Sequence, residues 1–143
     1  MGKKAKDYML EIPDVTVTTQ TSLIDVMTIM VENNARTIIV TDTNREIKGI
    51  ITSSDILREL SKEIQSSILR GGAAEHVMTK RLRVPDVSEN TLMLDVAEEM
   101  AHNDVFSIVV MKQFQPVGII TSLEVFKWWL EEHSNPSDSG QEK

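Results

Sequence analysis

Gly49-Ile50-Ile51-Thr52-Ser53 recurs 69 residues later as Gly118-Ile119-Ile120-Thr121-Ser122, and this duplication decides how the chain is read. A repeat of this size marks one supersecondary unit written twice. The match extends upstream. Leu23-Ile24-Asp25-Val26 corresponds to Met93-Leu94-Asp95-Val96, and Thr37-Ile38-Ile39-Val40 to Ser107-Ile108-Val109-Val110, both at an offset of 70. The offset changes between Thr41–Lys48 and Met111–Val117, eight residues against seven, where a hairpin turn can absorb an indel. Pairing 15–40 with 85–110 and 49–57 with 118–126 gives 13 identities in 35 positions.

Each copy reads as β-α-β-β-α. A short extended stretch opens it, Val15–Thr18 in the first copy and Arg83-Val84 in the second. Ser22 is placed to cap a helix in which Leu23, Val26, Met27, Met30 and Val31 follow helical spacing. The second copy repeats this with Met93, Val96, Ala97, Met100 and Ala101. Thr37–Val40 is β-branched and too short for a helix, so it predicts a buried strand. Asp42-Thr43-Asn44-Arg45 is turn chemistry, and Ile47–Ile51 predicts the paired strand. A last helix begins at Thr52. Its apolar stripe is Ile56, Leu57, Leu60 and Ile64, matched by Leu123, Phe126, Trp129 and Leu130. Residues 61–75 are expected to continue that helix to a break at Gly71-Gly72, and 134–143 to form a disordered tail. Units of about 55 residues are marginal alone. The expected fold is therefore α+β (α/β-like), with two β-α-β-β-α units packed through their sheets about a pseudo-two-fold axis. The repeat puts the domains at 7–70 and 71–133.

Composition narrows the function. The 143 residues contain no cysteine, which excludes disulfides, thiolate nucleophiles and Cys-based metal sites. A net charge of −7 argues against a duplex-wrapping surface, so nucleic acid is an unlikely partner class. No apolar run reaches the ~18 residues that a membrane span needs. Met1-Gly2-Lys3-Lys4-Ala5-Lys6 lacks the apolar region of a secretory signal, so the expected location is the cytoplasm. His76, His102 and His133 have no metal-ligand spacing, and no catalytic triad or phosphate-cradling glycine loop is present.

The repeated block carries the chemistry. Gly49 and Gly118 would let a backbone or a flat ligand approach closely. Thr52 with Asp55, and Thr121 with Glu124, have the spacing of a helix capping box, which needs no ligand. A hydroxyl and a carboxylate so placed can also hold the two vicinal hydroxyls of a ribose, with the helix-end amides facing a phosphate. Both readings are open at this level.

The duplicated unit, its two in-register Gly-Ile-Ile-Thr-Ser blocks and the lead segments Asp7-Tyr8-Met9-Leu10 and His76-Val77-Met78-Thr79 resemble a pair of CBS (cystathionine β-synthase) domains over about residues 7–133. The resemblance implies a non-catalytic regulatory pair that binds adenosyl ligands in two clefts. One site would use Ile50, Ile51, Thr52 and Asp55, completed by Val87, Val105 and Phe106. The other would use Ile119, Ile120, Thr121 and Glu124, completed by Val17, Ala35 and Arg36. Lys80, Arg81, Arg83 and Arg58 are the candidate phosphate contacts of the Asp55 site. Glu124 departs from the Asp of the family pattern, which weakens the expectation for the second site.

The expected function is a sensor of AMP, ADP or ATP with no obligatory cofactor, acting on a protein effector not identified by the sequence. Two other classes compete with it, a protein-interaction module with unoccupied sites and an RNA-associated regulator. The final expectation is a homodimer through helix faces carrying Met27, Met30, Val31, Ile64, Ile68, Leu69, Trp128, Trp129 and Leu130.

Overall fold

The computed structural model of the protein describes residues 2–11, 16–62 and 70–134. In chain order the elements are α1 (Ala5–Tyr8), β1 (Leu10–Glu11), β2 (Thr16–Thr18), α2 (Leu23–Asn33), β3 (Thr37–Thr41), β4 (Ile47–Thr52) and α3 (Ser53–Ser61), followed by β5 (Thr79–Lys80), β6 (Asp86–Ser88), α4 (Met93–Asn103), β7 (Ser107–Lys112), β8 (Gln115–Thr121) and α5 (Ser122–His133). Single 3-10 turns lie at Ala74–His76 and Arg81–Arg83. The strands form two four-stranded sheets, ordered β2-β3-β4-β5 and β1-β8-β7-β6. The α+β class and the β-α-β-β-α unit are as the repeat predicts. The tail 135–143, Val15 and the connection 63–69, with Ile64, Ile68 and Leu69, lie outside the described residues.

Both units use the same local logic. β2 pairs parallel with β3, and β6 with β7. A parallel pair needs a crossover, and α2 or α4 supplies it. Ser22 caps α2 by accepting the Asp25 N–H at 3.1 Å, while Leu92 gives α4 no side-chain cap. The first core joins Leu23 and Val26 of α2 to Val17, Ile38, Val40, Ile51, Ile56 and Ala74. The second joins Met93, Val96 and Met100 of α4 to Ala5, Val87, Ile108, Val110 and Ile120. The indel is visible as geometry. In the first hairpin the register slips between Val40 and Thr41, leaving Lys48 without a partner across the pair, and Arg45 takes a left-handed φ of 67°. The shorter second hairpin turns through Gln113 and Phe114, both at positive φ.

The compact units defined by contacts each take in a lead segment from beyond their own copy of the repeat. By contacts, one compact unit comprises the described residues 11, 16–62, 70–84 and 113–116. The other gathers 2–10 with 85–112 and 117–134. Each lead segment is thus folded with the unit that does not follow it. In the first unit, Ala74 N donates to Thr21 O at 2.7 Å, Glu75 N to Thr19 O at 3.2 Å and Leu23 N to Gly72 O at 3.1 Å. β5 then edges β4 in antiparallel register, Gly49 opposite Lys80 and Ile50 opposite Thr79. In the second unit, Ala5 N donates to Thr91 O at 2.8 Å, Lys6 N to Glu89 O at 3.0 Å and Met93 N to Lys3 O at 2.9 Å. Ala5 and Ala74 are both fully buried, so neither lead segment is a loose tail.

This exchange also explains the glycines. A Cβ on Gly49 would lie 2.2 Å from the Thr79 carbonyl oxygen. One on Gly118 would lie 2.7 Å from both the Leu10 carbonyl oxygen and Met9 Sδ. What approaches each glycine is the backbone of a lead segment.

The last helices are less buried than their spacing suggests. Leu57 and Leu60 of α3 are exposed, as are Leu123, Phe126, Trp129 and Leu130 of α5. Val125 and Trp128 face the second core instead. The two adjacent tryptophans therefore divide, one inward and one outward. Met27 and Met30 pack on the first core, so of the apolar α2 residues expected outside only Val31 is fully exposed.

α1 is clasped to α5 by Tyr8, whose hydroxyl donates to Glu131 Oε1. That bond to an anion, helped by partial burial, pushes the Tyr8 phenol up to about 12. The raised value favours the neutral phenol, so the clasp contributes fully below the ordinary value of 10.0 and is lost as pH rises through about 12. Tyr8 is the single tyrosine, so tyrosinate absorbance reads it alone. The expected midpoint is near 12, and Glu131→Ala should return it toward 10.0. An unshifted midpoint in the intact protein would remove the clasp.

Candidate functional site

In the first unit β4 runs directly into α3, and Thr52 stands at the junction in extended conformation. Strand φ/ψ up to Thr52 and helical φ/ψ after it leave the first amides of α3 without intrahelical carbonyl partners. The capping box forms. Thr52 N donates to Asp55 Oδ2 at 2.8 Å, Thr52 Oγ1 donates to the same oxygen at 3.1 Å, and Asp55 N donates to Thr52 Oγ1 at 3.3 Å. The remaining oxygen, Oδ1, accepts from Arg58 Nη2 in an ion pair. The Asp55 side chain is 6% exposed and that of Arg58 69%. Burying a carboxylate is costly unless it is paired and hydrogen-bonded in this way.

The other expected residues of this unit group around the same strand. Ile51 is in the helix-side core, while Ile50, on the opposite sheet face by strand alternation, is also buried. Ser53 N donates to Arg36 O at 2.9 Å, tying the start of α3 to the Ala35-Arg36 turn. Lys80 lies opposite Gly49 on β5, and the Arg81–Arg83 turn follows immediately. Arg81 Nη1 donates to Val84 O at 3.2 Å. Val17 is buried in the core, Ala35 half-buried and Arg36 exposed.

The second unit repeats the junction with one difference. Thr121 N and Thr121 Oγ1 both donate to Glu124 Oε1, at 2.7 and 2.6 Å, and Leu123 N donates to Thr121 Oγ1 at 3.2 Å. The longer Glu arm still closes the box. Among the described residues Glu124 forms no ion pair. Lys127, the counterpart of Arg58, lines a cavity of about 270 Å³ with Lys3, Asp7, Tyr8 and Glu131. Ile119 and Ile120 are buried on β8 and Val87 on β6. Ser122 N donates to Phe106 O at 3.0 Å, while the Phe106 ring is 83% exposed and Val105 is half-buried.

Each unit thus brings together its own Ile-Ile-Thr-x-x-acid set. Val87, Val105 and Phe106 are on the second unit, and Val17, Ala35 and Arg36 on the first. The Asp55–Arg58 pair and the Lys127 cavity were missed by sequence reasoning. The first had a signal in its i, i+3 spacing. The second depends on α1 meeting α5, which no local pattern announces. Two histidines have structural work. His76 Nδ1 accepts from Ala73 N at 2.8 Å, and the His133 ring stacks on Trp129 with centroids 4.1 Å apart. Among the described residues there is no group of three or more metal-ligating side chains, and no helix is long and apolar enough to cross a membrane.

Comparison with known proteins gives a consistent picture. The sequence profile of the CBS domain matches residues 5–62 and 74–131. The fold is similar to the CBS domain pair of protein MJ0100, crystallised in complex with 5′-methylthioadenosine and S-adenosyl-L-methionine. That comparison has a TM-score of 0.79 and 22% identity, covering 92% of this chain and 99% of that one. It is similar to CBSX2 in complex with AMP, with a TM-score of 0.77, 23% identity and coverage of 92% and 98%. It is similar also to the CBS domain of a CBS domain-containing membrane protein from Sphaerobacter thermophilus, with a TM-score of 0.72, 26% identity and coverage of 89% and 88%. No curated protein matches the chain.

Proposed function

Because the chain belongs to the CBS domain family, with two copies matched, we propose that it is a regulatory module that binds an adenosyl ligand, without catalysis of its own. The observation that carries this reading is the Thr52–Asp55 pair. It presents a buried carboxylate beside a hydroxyl at the N-terminus of α3, next to basic residues on β5 and the following turn. Ribose offers two adjacent hydroxyls to such a pair, and a phosphate is suited to guanidinium groups and free helix-end amides. The ligands of the MJ0100 pair and of CBSX2 share an adenosyl group, which supports that class. AMP, ADP and ATP are the nucleotides to test first. Carried over by position, Ile50, Ile51, Thr52 and Asp55 would hold the adenosine at one site with Val87, Val105 and Phe106. Ile119, Ile120, Thr121 and Glu124 would form the other with Val17, Ala35 and Arg36.

Asp55→Ala is expected to weaken AMP binding by about 1.5–3 kcal/mol through loss of a charge-assisted hydrogen bond. Calorimetric titration of a variant shown by circular dichroism to be folded checks this. Unchanged affinity would return Asp55 to a capping role alone.

The same reading includes assembly. The exposed Leu57, Leu60, Leu123, Phe126, Trp129 and Leu130 form helix faces of the kind that oligomers cover. A two-fold homodimer through these helices is proposed, and sedimentation near twice 16.1 kDa tests it. It would link ligand state to subunit contact, because α3 and α5 begin at the two candidate sites and carry these faces.

A further inference from the structure

We propose that the two sites sort adenosyl ligands by charge, the Asp55 site selecting a phosphate-bearing ligand and the Glu124 site one without phosphate. This rests on the adenosyl reading above. The two capping boxes are nearly the same in hydrogen bonding and opposite in electrostatic setting. At Asp55 the carboxylate is neutralised by Arg58. A guanidinium has five N–H donors in a fixed fork. Arg58 uses Nη2 on Asp55, and its side chain is 69% exposed, so donors remain for an anion. The edge strand beside β4 adds Lys80, and the turn after it adds Arg81 and Arg83.

At Glu124 each of these features is reversed. The carboxylate has no cation partner among the described residues. Lys127 lies instead in the cavity with Lys3, Asp7, Tyr8 and Glu131, where two carboxylates balance the two ammonium groups. The edge strand beside β8 ends in Glu11 where β5 ends in Lys80. The equivalence is set by the glycines, since Leu10 O stands to Gly118 as Thr79 O stands to Gly49. An anion placed here meets the Glu124 carboxylate, which has no cation partner among the described residues, and the neighbouring edge strand offers Glu11 where the first unit offers Lys80. Like charges disfavour the approach, and an uncharged ligand avoids the repulsion.

The test compares AMP with adenosine, which differ only in the phosphate, by calorimetry on the full chain. With the second site removed by Glu124→Ala, AMP should bind at least about tenfold tighter than adenosine, and adding Arg58→Ala should abolish that preference. With the first site removed by Asp55→Ala, adenosine should bind at least as tightly as AMP. Glu11→Lys, a change at an exposed position that spares both boxes, should then shift the preference toward AMP. The same preference at both sites, or a preference that survives Arg58→Ala, overturns the sorting while leaving the adenosyl reading intact. Binding of neither ligand by the wild-type protein overturns the adenosyl reading, and the sorting falls with it.

Discussion

Cut between the repeats, residues 1–70 and 71–143 should each fail to fold cooperatively, and mixing them should restore a cooperative unfolding transition. The cut leaves each piece holding the lead segment that the other needs. Residues 1–70 lack β5 and the fully buried Ala74, and lose the bonds of Ala74 N to Thr21 O and Glu75 N to Thr19 O. The piece 71–143 lacks β1 and the fully buried Ala5. Each lost backbone bond contributes about 1 kcal/mol, and the uncovered sheet edge and core add to it. Against a total stability of about 5–15 kcal/mol, that is enough to unfold a small unit. Circular dichroism with thermal or urea melts, on the fragments alone and at equal concentration, reads the result. A 1–70 fragment that melts like the intact chain would show that the lead segments are dispensable.

Gly49→Ala is expected to be the most damaging single methyl in the molecule, at about 3 kcal/mol, the upper end for overpacking. The added Cβ meets the Thr79 carbonyl oxygen at 2.2 Å, a backbone atom that cannot rotate away. Gly118→Ala should cost less, because the contacts are at 2.7 Å and one partner is the flexible thioether of Met9. Urea denaturation of both variants gives the order. Equal and negligible losses would mean that the glycines serve a ligand and not the chain's own backbone.

Local sequence carried the elements well. The β-branched run Thr37–Val40, the turn at Asp42–Arg45 and the Ser22 cap are all specified within a few residues, and all form where expected. The Thr52 and Thr121 boxes were legible for the same reason, since their partners lie three residues away. The repeat told which segments are equivalent but could not say which copy each serves. Asp7–Leu10 and His76–Thr79 are short and match each other, so nothing in them distinguishes staying from crossing. The tie is made by long-range backbone bonds, which have no residue code. Likewise the spacing of Leu57, Leu60, Phe126 and Leu130 announces an apolar face but not whether the rest of the chain covers it, and these residues are exposed. At the site, the sequence supplied Arg58 as a basic residue. Only the structure shows its guanidinium on Asp55 while Lys127, in the same repeat position, takes part in a different cavity.

The crossed lead segments bear on how such a chain could have arisen. A polypeptide with one copy of the repeat has a glycine-lined edge that its own lead segment does not fill. Two molecules of such a single-copy chain would satisfy both edges by trading those segments. Fusing the genes turns that trade into an intramolecular one. A second-order encounter, set by cellular protein level, is replaced by an effective concentration in the millimolar range typical of short linkers. The duplication therefore confers concentration-independent folding. It also frees the two copies to diverge in charge, as Lys80 and Glu11 have, because each now completes a sheet that is no longer identical to the other.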